Sequence, residues 1–457
     1  MTQLPKPSFN DDPKSFAFPS AHKRWPIILK GAIDDVDQEV KENPDLKKSG
    51  EEIRGKIESF LQYLESDGEL KPFTEEDIKL NPDLKYYNSS LEEMNKEKRV
   101  TWLTGRWLNT ECFLYQILKL YFLQSSEKHW HQYDVFQRLK NDTFHQSDTG
   151  VLELCKRYNI LASQLAEKDV DLNSLGILFK EFIDISLWGN ATDLSLLAGN
   201  VTLEEIKSAQ GEENRKKNEK NIVVNNISDA WRALSSGNLG KRVDIILDNA
   251  GFELFADLIL VLFLLDSNIA SEVHLHCKEI PWFVSDVMPK DFDLTLKMLS
   301  DQNFFPAIYS NKDDAKAITD LHDSISKYHK SGKLVVQSHK FWTLDHKFWS
   351  IPKFEDLYKE LLKSDLIILK GDLNYRKLTG DLLWDPTTPF KVAIQDLANS
   401  KLPLLSLRTC KADVVVGLEN GLFEKLSEEY KAQGNELGSY WTTTGKWAVI
   451  SFSDGKS

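Results

Sequence analysis

The spacing of apolar and polar positions changes character about halfway along the chain. Residues 27–67 carry apolar side chains at helical intervals among many charges: Ile28, Leu29, Ile33, Val36 and Val40, then Ile53, Ile57, Phe60, Leu61 and Leu64. This predicts amphipathic helices. Residues 102–124, WLTGRWLNTECFLYQILKLYFLQ, are far more apolar and predict a buried helix. Helical spacing returns at 151–168 and 173–187. The stretch 203–221, LEEIKSAQGEENRKKNEKN, is the most polar and predicts a solvated helix or loop near a domain boundary. Asn226–Leu234 then predicts a capped helix leading into the second half.

From residue 240 short β-rich runs alternate with helical patterns. The candidate strands are Val243–Leu247, Val273–Cys277, Leu334–Gln337, Leu366–Leu369, Leu402–Ser406 and Trp447–Phe452. Between the earlier ones lie candidate helices at Phe252–Ser267, Leu294–Ser300, Ala315–His329 and Phe354–Lys363. Such alternation predicts right-handed βαβ units and a mostly parallel sheet covered by helices. Ligands of such sheets bind beyond the carboxyl ends of the strands, so chemistry is sought there.

Composition narrows the functional classes. A chain of 457 residues suits two domains or one large elaborated domain. Its 57 basic and 70 acidic residues give 57 − 70 = −13, a charge that repels phosphate backbones and anionic lipid. Neither nucleic acid nor membrane is expected as a partner, and no obligate protein partner is evident. Cys112, Cys155, Cys277 and Cys410 form no CxxC or CxxH pair, which argues against a structural zinc site or a disulfide framework. The start has no apolar signal region, and the longest apolar run, Leu258 to Leu265, is too short to span a bilayer. A reducing cytoplasmic setting is expected, with the nucleus as the alternative.

The first candidate strand ends in V-D-I-I-L-D-N-A-G-F-E-L, with Asp248 and Asn249 at its tip and Gly251 opening a long helix. That helix end offers free N–H groups and a positive dipole to an anion, although Asp248 alone also suits a simple helix cap. Asp286 lies past the next strand, 38 residues after Asp248, the length of one strand–helix–strand unit and a turn. Two carboxylates and an amide oxygen on neighbouring tips would form a hard, oxygen-only set suited to Mg²⁺ or Mn²⁺. Asp286 could equally cap the segment that follows. The run S-D-L-I-I-L-K-G-D-L-N-Y-R-K places Asp372, Asn374 and Arg376 at another tip, and L-R-T-C-K brings Arg408 and Lys411 to the same edge. Arg holds phosphate bidentately and Lys acts as a point charge, the alternative being ion pairs with nearby acids. Trp342 and Trp349, in SHKFWTLDHKFW, suit either a pocket wall or core packing.

Taken together, ILDNAGFELFADL, WFVSDV, LKGDLNYRKLTGD and LRTCK resemble the damage-control phosphatases, metal-dependent enzymes that hydrolyse stray sugar phosphates. R-T-C-K at Arg408–Lys411 matches the R-T-x-K signature of the subfamily acting on fructose phosphates, and WLTGRWLNTECF at 102–113 extends the likeness toward the N-terminus. The resemblance implies a helical N-terminal domain, placed at 1–238, and a Rossmann-like α/β/α catalytic domain at 239–457. It implies catalysis by Asp248, Asn249 and Asp286 around Mn²⁺, with Co²⁺, Ni²⁺ or Mg²⁺ as substitutes. It assigns substrate contacts to Asp248, Asn249, Asp372, Leu373, Asn374, Tyr375, Arg376 and Lys411. Fructose 1-phosphate and fructose 6-phosphate are the expected substrates. One member was also described as a carboxyl methyltransferase using S-adenosylmethionine, with Glu253 and Asp286 at the methyl donor. A non-catalytic sugar-phosphate sensor is a third possibility. Glu111 and Arg106, from the helical part, are candidates for the pocket wall.

Overall fold

The protein is described by a computed structural model over residues 4–167, 170–189 and 219–456. The polar stretch at 203–221 falls outside these residues except for Glu219–Asn221, a short 3-10 turn. Seven strands form one sheet: β1 Ile222–Asn225, β2 Lys241–Ile246, β3 Ala270–Cys277, β4 Leu334–Ser338, β5 Leu366–Lys370, β6 Leu404–Thr409 and β7 Ala448–Ser453. Their order is β1-β7-β6-β5-β2-β3-β4. All neighbours pair in parallel except β6 and β7. The six strands expected from sequence are present, and β1, a four-residue edge strand, is additional.

Helices cover both faces of the sheet, because the strands are apolar on both. Ile367, Leu369 and Leu404 enter one apolar cluster, while Leu366, Ile368 and Leu405 enter the other. Alternate residues of a strand point to opposite faces, so a run such as L-I-I-L must be covered twice. The Phe252–Asp266 helix fills one side and is buried along nearly its whole length. The helices Trp25–Glu42, Lys47–Glu65 and Trp107–Leu123 pack into the other cluster, and Asp148–Glu167 and Leu172–Trp188 into the Phe252 side. Both clusters draw on residues from either side of position 238. Among the described residues no helix is long and apolar enough to cross a membrane, and the four cysteines are buried and unpaired.

Chain direction fixes where a ligand would sit. From β2 the chain continues to β3 and β4 on one side, then returns to β5 on the other. The carboxyl tips of β3, β2, β5 and β6 therefore stand side by side, and the crevice between β2 and β5 is the topological switch point. An N-terminal segment is fastened near this edge. Asn10 Nδ2 donates to Trp102 O and to Thr110 Oγ1, both at 2.9 Å. Ser15 Oγ donates to Asp413 Oδ2 at 2.6 Å, and the Phe16 N–H donates to the same oxygen at 2.8 Å.

Burial raises the carboxyl of Asp413 to about 6, against the pull of Ser15 and Phe16. The folded state then holds that proton more tightly than the unfolded chain. This contribution is complete below about pH 4 and is lost as pH rises through about 6, a difference of about 3 kcal/mol. Asp413→Asn should flatten the pH dependence of urea unfolding across that window. An unchanged slope would show that Asp413 does not titrate with folding.

Candidate active site

The tips of β2 and β3 are stitched together by main-chain bonds. The Val287 N–H donates to Asp248 O and the Ala250 N–H to Ser285 O, both at 2.8 Å, and Asn249 pairs with Asp286 as an antiparallel bridge. Asp248, Asn249 and Asp286 are thereby brought together. Asn249 Nδ2 donates to Asp248 Oδ2 at 2.7 Å and to Glu253 Oε2 at 2.8 Å. Its Oδ1 accepts from Ser285 Oγ at 2.5 Å. On the other flank Gly371 opens the Gly371–Thr379 helix at φ +84°, and a Cβ there would overlap the Asp248 carboxylate. Glycine is required both for the left-handed backbone and for the close approach.

These acids are buried, so their charges need counterparts. Burial drives the Asp248 carboxyl well above its ordinary range; Glu253 and Asp286 add to the rise, and Lys278 and Lys411 oppose it. Asp286 is also raised, by burial against Lys278. Three buried lysines surround the cluster. Lys278 Nζ donates to Leu247 O at 2.8 Å and forms an ion pair with Asp286 Oδ2 at 3.1 Å. Lys370 Nζ lies 2.8 Å from Asp257 Oδ1 and 3.4 Å from Glu253 Oε1. Lys140, from the Gln137–His145 helix, donates to Asp286 O at 2.9 Å while paired with Asp134 and Asp291. Sequence reasoning passed over all three. The signal was available: Lys370 ends the wholly apolar β5 and Lys278 directly follows β3, places where a lysine must find acids.

The loop carrying Asp286 is held in an unusual shape. Phe283 and Val284 have φ of +43° and +72°, a region costing side-chain-bearing residues about 1–3 kcal/mol each. Packing offsets that cost. Tyr115 stacks on Phe283 with centroids 5.0 Å apart, and Lys377 Nζ sits 5.8 Å from the Trp282 ring centre.

The other expected residues divide into two groups. Asp372 stands at the cleft, with Oδ1 accepting from Arg408 Nε at 2.7 Å and from the Lys411 N–H at 2.9 Å. Among the described residues nothing donates to its Oδ2. Lys411 is part-exposed and has no ion pair within 4.0 Å among the described residues. Most of the remainder lie beneath the surface. Leu373, Asn374, Tyr375 and Arg376 are buried. Asn374 Nδ2 donates to Lys370 O at 2.7 Å, Tyr375 Oη accepts from the Val416 N–H, and Arg376 grips Asp381 at 2.9 and 3.0 Å. All four are buried because the Gly371–Thr379 helix is enclosed on every side. Arg408 is fully buried and donates to the Asp372 carboxylate, Ala412 O and Val414 O, so its donors are taken up inside the protein and brace the loop after β6. Glu111 is buried 3.5 Å from Arg376. Arg106 pairs with Glu97 and lines a separate cavity. Phe144, Lys140 and Thr143 pack beside Gly251 at the helix end. Glu253 is buried between Asn249 and Lys370.

No group of three or more His, Cys, Asp or Glu able to hold a metal is present among the described residues. The set here differs in including an amide: Asp248 and Asp286 carboxylates with Asn249. Asp286 Oδ2 has the Lys278 ammonium at 3.1 Å as its partner, and the two carboxylates and the amide offer oxygen as their only donor atoms. This fits a hard divalent cation.

A family model for the damage-control phosphatase ARMT1-like domain matches residues 20–426. The chain is 35% identical over 458 residues to damage-control phosphatase ARMT1 of Bos taurus, covering 96% of this chain and 97% of that protein. It is 34% identical over 470 residues to the Homo sapiens protein of that name, covering 99% of each. A crystal structure of a DUF89 family protein from Pyrococcus horikoshii aligns with 83% of this chain and 91% of that one, at 14% identity and a TM-score of 0.37.

Lys140→Met leaves Asp291 buried without its lysine and Asp134 with Lys290 alone, and should cost about 3–5 kcal/mol in urea unfolding. Gly371→Ala should displace Asp248 and lower turnover more than stability, read as kcat beside the unfolding midpoint. Wild-type behaviour in both would remove the tight packing around Asp248 and Asp286 as a functional constraint.

Proposed function

The chain belongs to the ARMT1-like damage-control phosphatases, and from that membership we propose a metal-dependent phosphomonoesterase acting on sugar phosphates such as fructose 1-phosphate and fructose 6-phosphate. The observation that carries this reading is the meeting of Asp248, Asn249 and Asp286 on stitched strand tips, with Lys411 close enough to act on the Asp248 charge. Asp248, Asn249 and Asp286 would hold the cation, most simply Mn²⁺, with Co²⁺, Ni²⁺ or Mg²⁺ as substitutes. What a divalent cation supplies in such a set is neutralisation of phosphoryl charge and a lowered pKa for water.

The chain's own groups supply positioning. The Lys411 ammonium, carried on the loop that Arg408 braces, faces the equatorial phosphoryl oxygens as charge builds on them. Asp248, pinned between Asn249 and Gly371, orients the attacking water and accepts its proton at a carboxylate oxygen. In the alternative route the same carboxylate attacks phosphorus directly. The open Oδ2 of Asp372 accepts a hydrogen bond from a sugar hydroxyl, its other oxygen being fixed by Arg408 and Lys411. Glu253, Lys278 and Lys370 keep the acids in place without reaching substrate.

Purified protein with Mn²⁺ should release phosphate from fructose 1-phosphate, and EDTA should stop the release. Asp248→Ala should lose at least ~1,000-fold in kcat/KM, on the scale of removing a central catalytic group. Lys411→Met should lose ~100-fold, the scale of one lost electrostatic contact in the transition state. Undiminished turnover in Asp248→Ala would overturn the assignment of the site.

A further inference from the structure

A second cavity lies away from the strand tips. It has a volume of about 640 Å³ and is walled by Tyr86, Arg106, His346, Lys347, Trp349 and Lys353. That size accommodates a small ligand with a ring and a phosphate, and exceeds what a bare phosphate needs. The cavity is built largely by the second half of a tandem word. The sequence repeats H-K-F-W at His339–Trp342 and at His346–Trp349. The first Trp, Trp342, is buried in the core, whereas Trp349 is part-exposed at the cavity. Trp349 rests against Gly380 and donates from Nε1 to Leu378 O at 2.6 Å. Gly380 caps the far end of the helix that begins at Gly371 beside Asp248. Nine helical residues span roughly 13 Å, so the cavity is a place distinct from the strand-tip site.

The two lysines of the cavity lack a carboxylate at ion-pair distance. Among the described residues no carboxylate lies within 4.0 Å of Lys347 or Lys353. Burial lowers the pKa of Lys347, and the next largest influence is the neighbouring Arg106 cation. Lys347 thus stands beside a second cation, with Asp381 and Glu97 acting on it only from beyond ion-pair distance. Arg106 meets Glu97 at the exposed rim. Of the two wall acids, Asp345 is already occupied by Ser90, Asn109 and His346, and Asp396 is exposed. Tyr86, Phe354 and His346 form a cluster of rings with centroids 5.7 to 5.8 Å apart, an apolar wall beside the cations. Cations beside aromatic walls recognise a phosphate attached to a ring.

We propose that this cavity is a second binding site, for a phosphate monoester carried on a ring, with Arg106, Lys347 and Lys353 on the phosphate and the aromatic wall on the ring. The site needs no metal and does not rest on the phosphatase reading. Both a nucleotide and a sugar phosphate present this chemistry, and the experiment separates them. Calorimetric titration in EDTA with adenosine monophosphate, fructose 1-phosphate and inorganic phosphate should give binding of at least one monoester, tighter than inorganic phosphate. Lys347→Met should weaken that binding ~10-fold or more, as expected for one lost charge-assisted hydrogen bond, and Lys411→Met should leave it unchanged. Lys353→Glu, at an exposed position, should weaken it too and guards against a misfolded Lys347 variant. Adenosine monophosphate binding alone identifies a nucleotide site, and fructose 1-phosphate binding alone identifies a sugar-phosphate site. Binding lost in Lys411→Met but kept in Lys347→Met and Lys353→Glu would overturn the proposal and assign the event to the strand tips. Failure of both monoesters to bind would overturn it as well.

Discussion

The pairing of buried acids with buried lysines is the constraint on which this architecture depends. Asp248, Glu253, Asp257 and Asp286 are all buried near the crevice between β2 and β5. An isolated buried carboxylate gives up its proton only at high cost, and a cluster of them would not fold in charged form. Lys278, Lys370 and Lys140 meet that cost from three directions. Each also donates to a main-chain carbonyl, at Leu247, Ser186 and Asp286. The lysines therefore fix backbone as well as charge. Removing a partner from such a set is far more damaging than replacing the set by apolar groups, so the lysines and acids form one unit.

The arrangement also explains why the helical region is inseparable from the sheet. Lys140 reaches Asp286 from the Gln137–His145 helix, and Tyr115 supports Phe283 from the Trp107–Leu123 helix. Both act on the loop whose left-handed Phe283 and Val284 need external packing to persist. The geometry of Asp286 is thus set partly by residues more than 140 positions earlier in the chain. That is a long-range device, and no local pattern in W-F-V-S-D-V announces it.

Much of the sheet was legible in the sequence because the strands are buried on both faces. Six short β-rich runs stood out against the amphipathic helices between them. The β1 strand did not, since I-V-V-N is short, lies at the edge and directly follows a strongly polar stretch. The strand-tip acids were legible for a topological reason: parallel neighbours bring their carboxyl ends to one edge. Which side chains of a tip motif face outward was not legible. D-L-N-Y-R opens a helix that is buried on every side, so Leu373, Asn374, Tyr375 and Arg376 are enclosed while Asp372, at its first turn, stays part-exposed. Family likeness marked these positions together and could not separate contact from support.

The R-T-C-K segment makes the same distinction within four residues. Arg408 and Lys411 are both cations at the end of β6, and each alone suits a phosphate. In the fold Arg408 has no exposed surface and its donors go to Asp372, Ala412 and Val414. Its planar fork suits that task, since it can bind a carboxylate and two carbonyls in fixed directions. Lys411 offers its backbone N–H to the same Asp372 oxygen and keeps its ammonium free of any carboxylate within ion-pair distance among the described residues. One guanidinium fixes the carboxylate, the carboxylate fixes the backbone of the lysine, and the lysine side chain is left as the mobile charge. An arginine-to-lysine exchange at 408 would keep the sign of the charge and lose the geometry, so the signature reads as a brace followed by a cation without an ion-pair partner among the described residues.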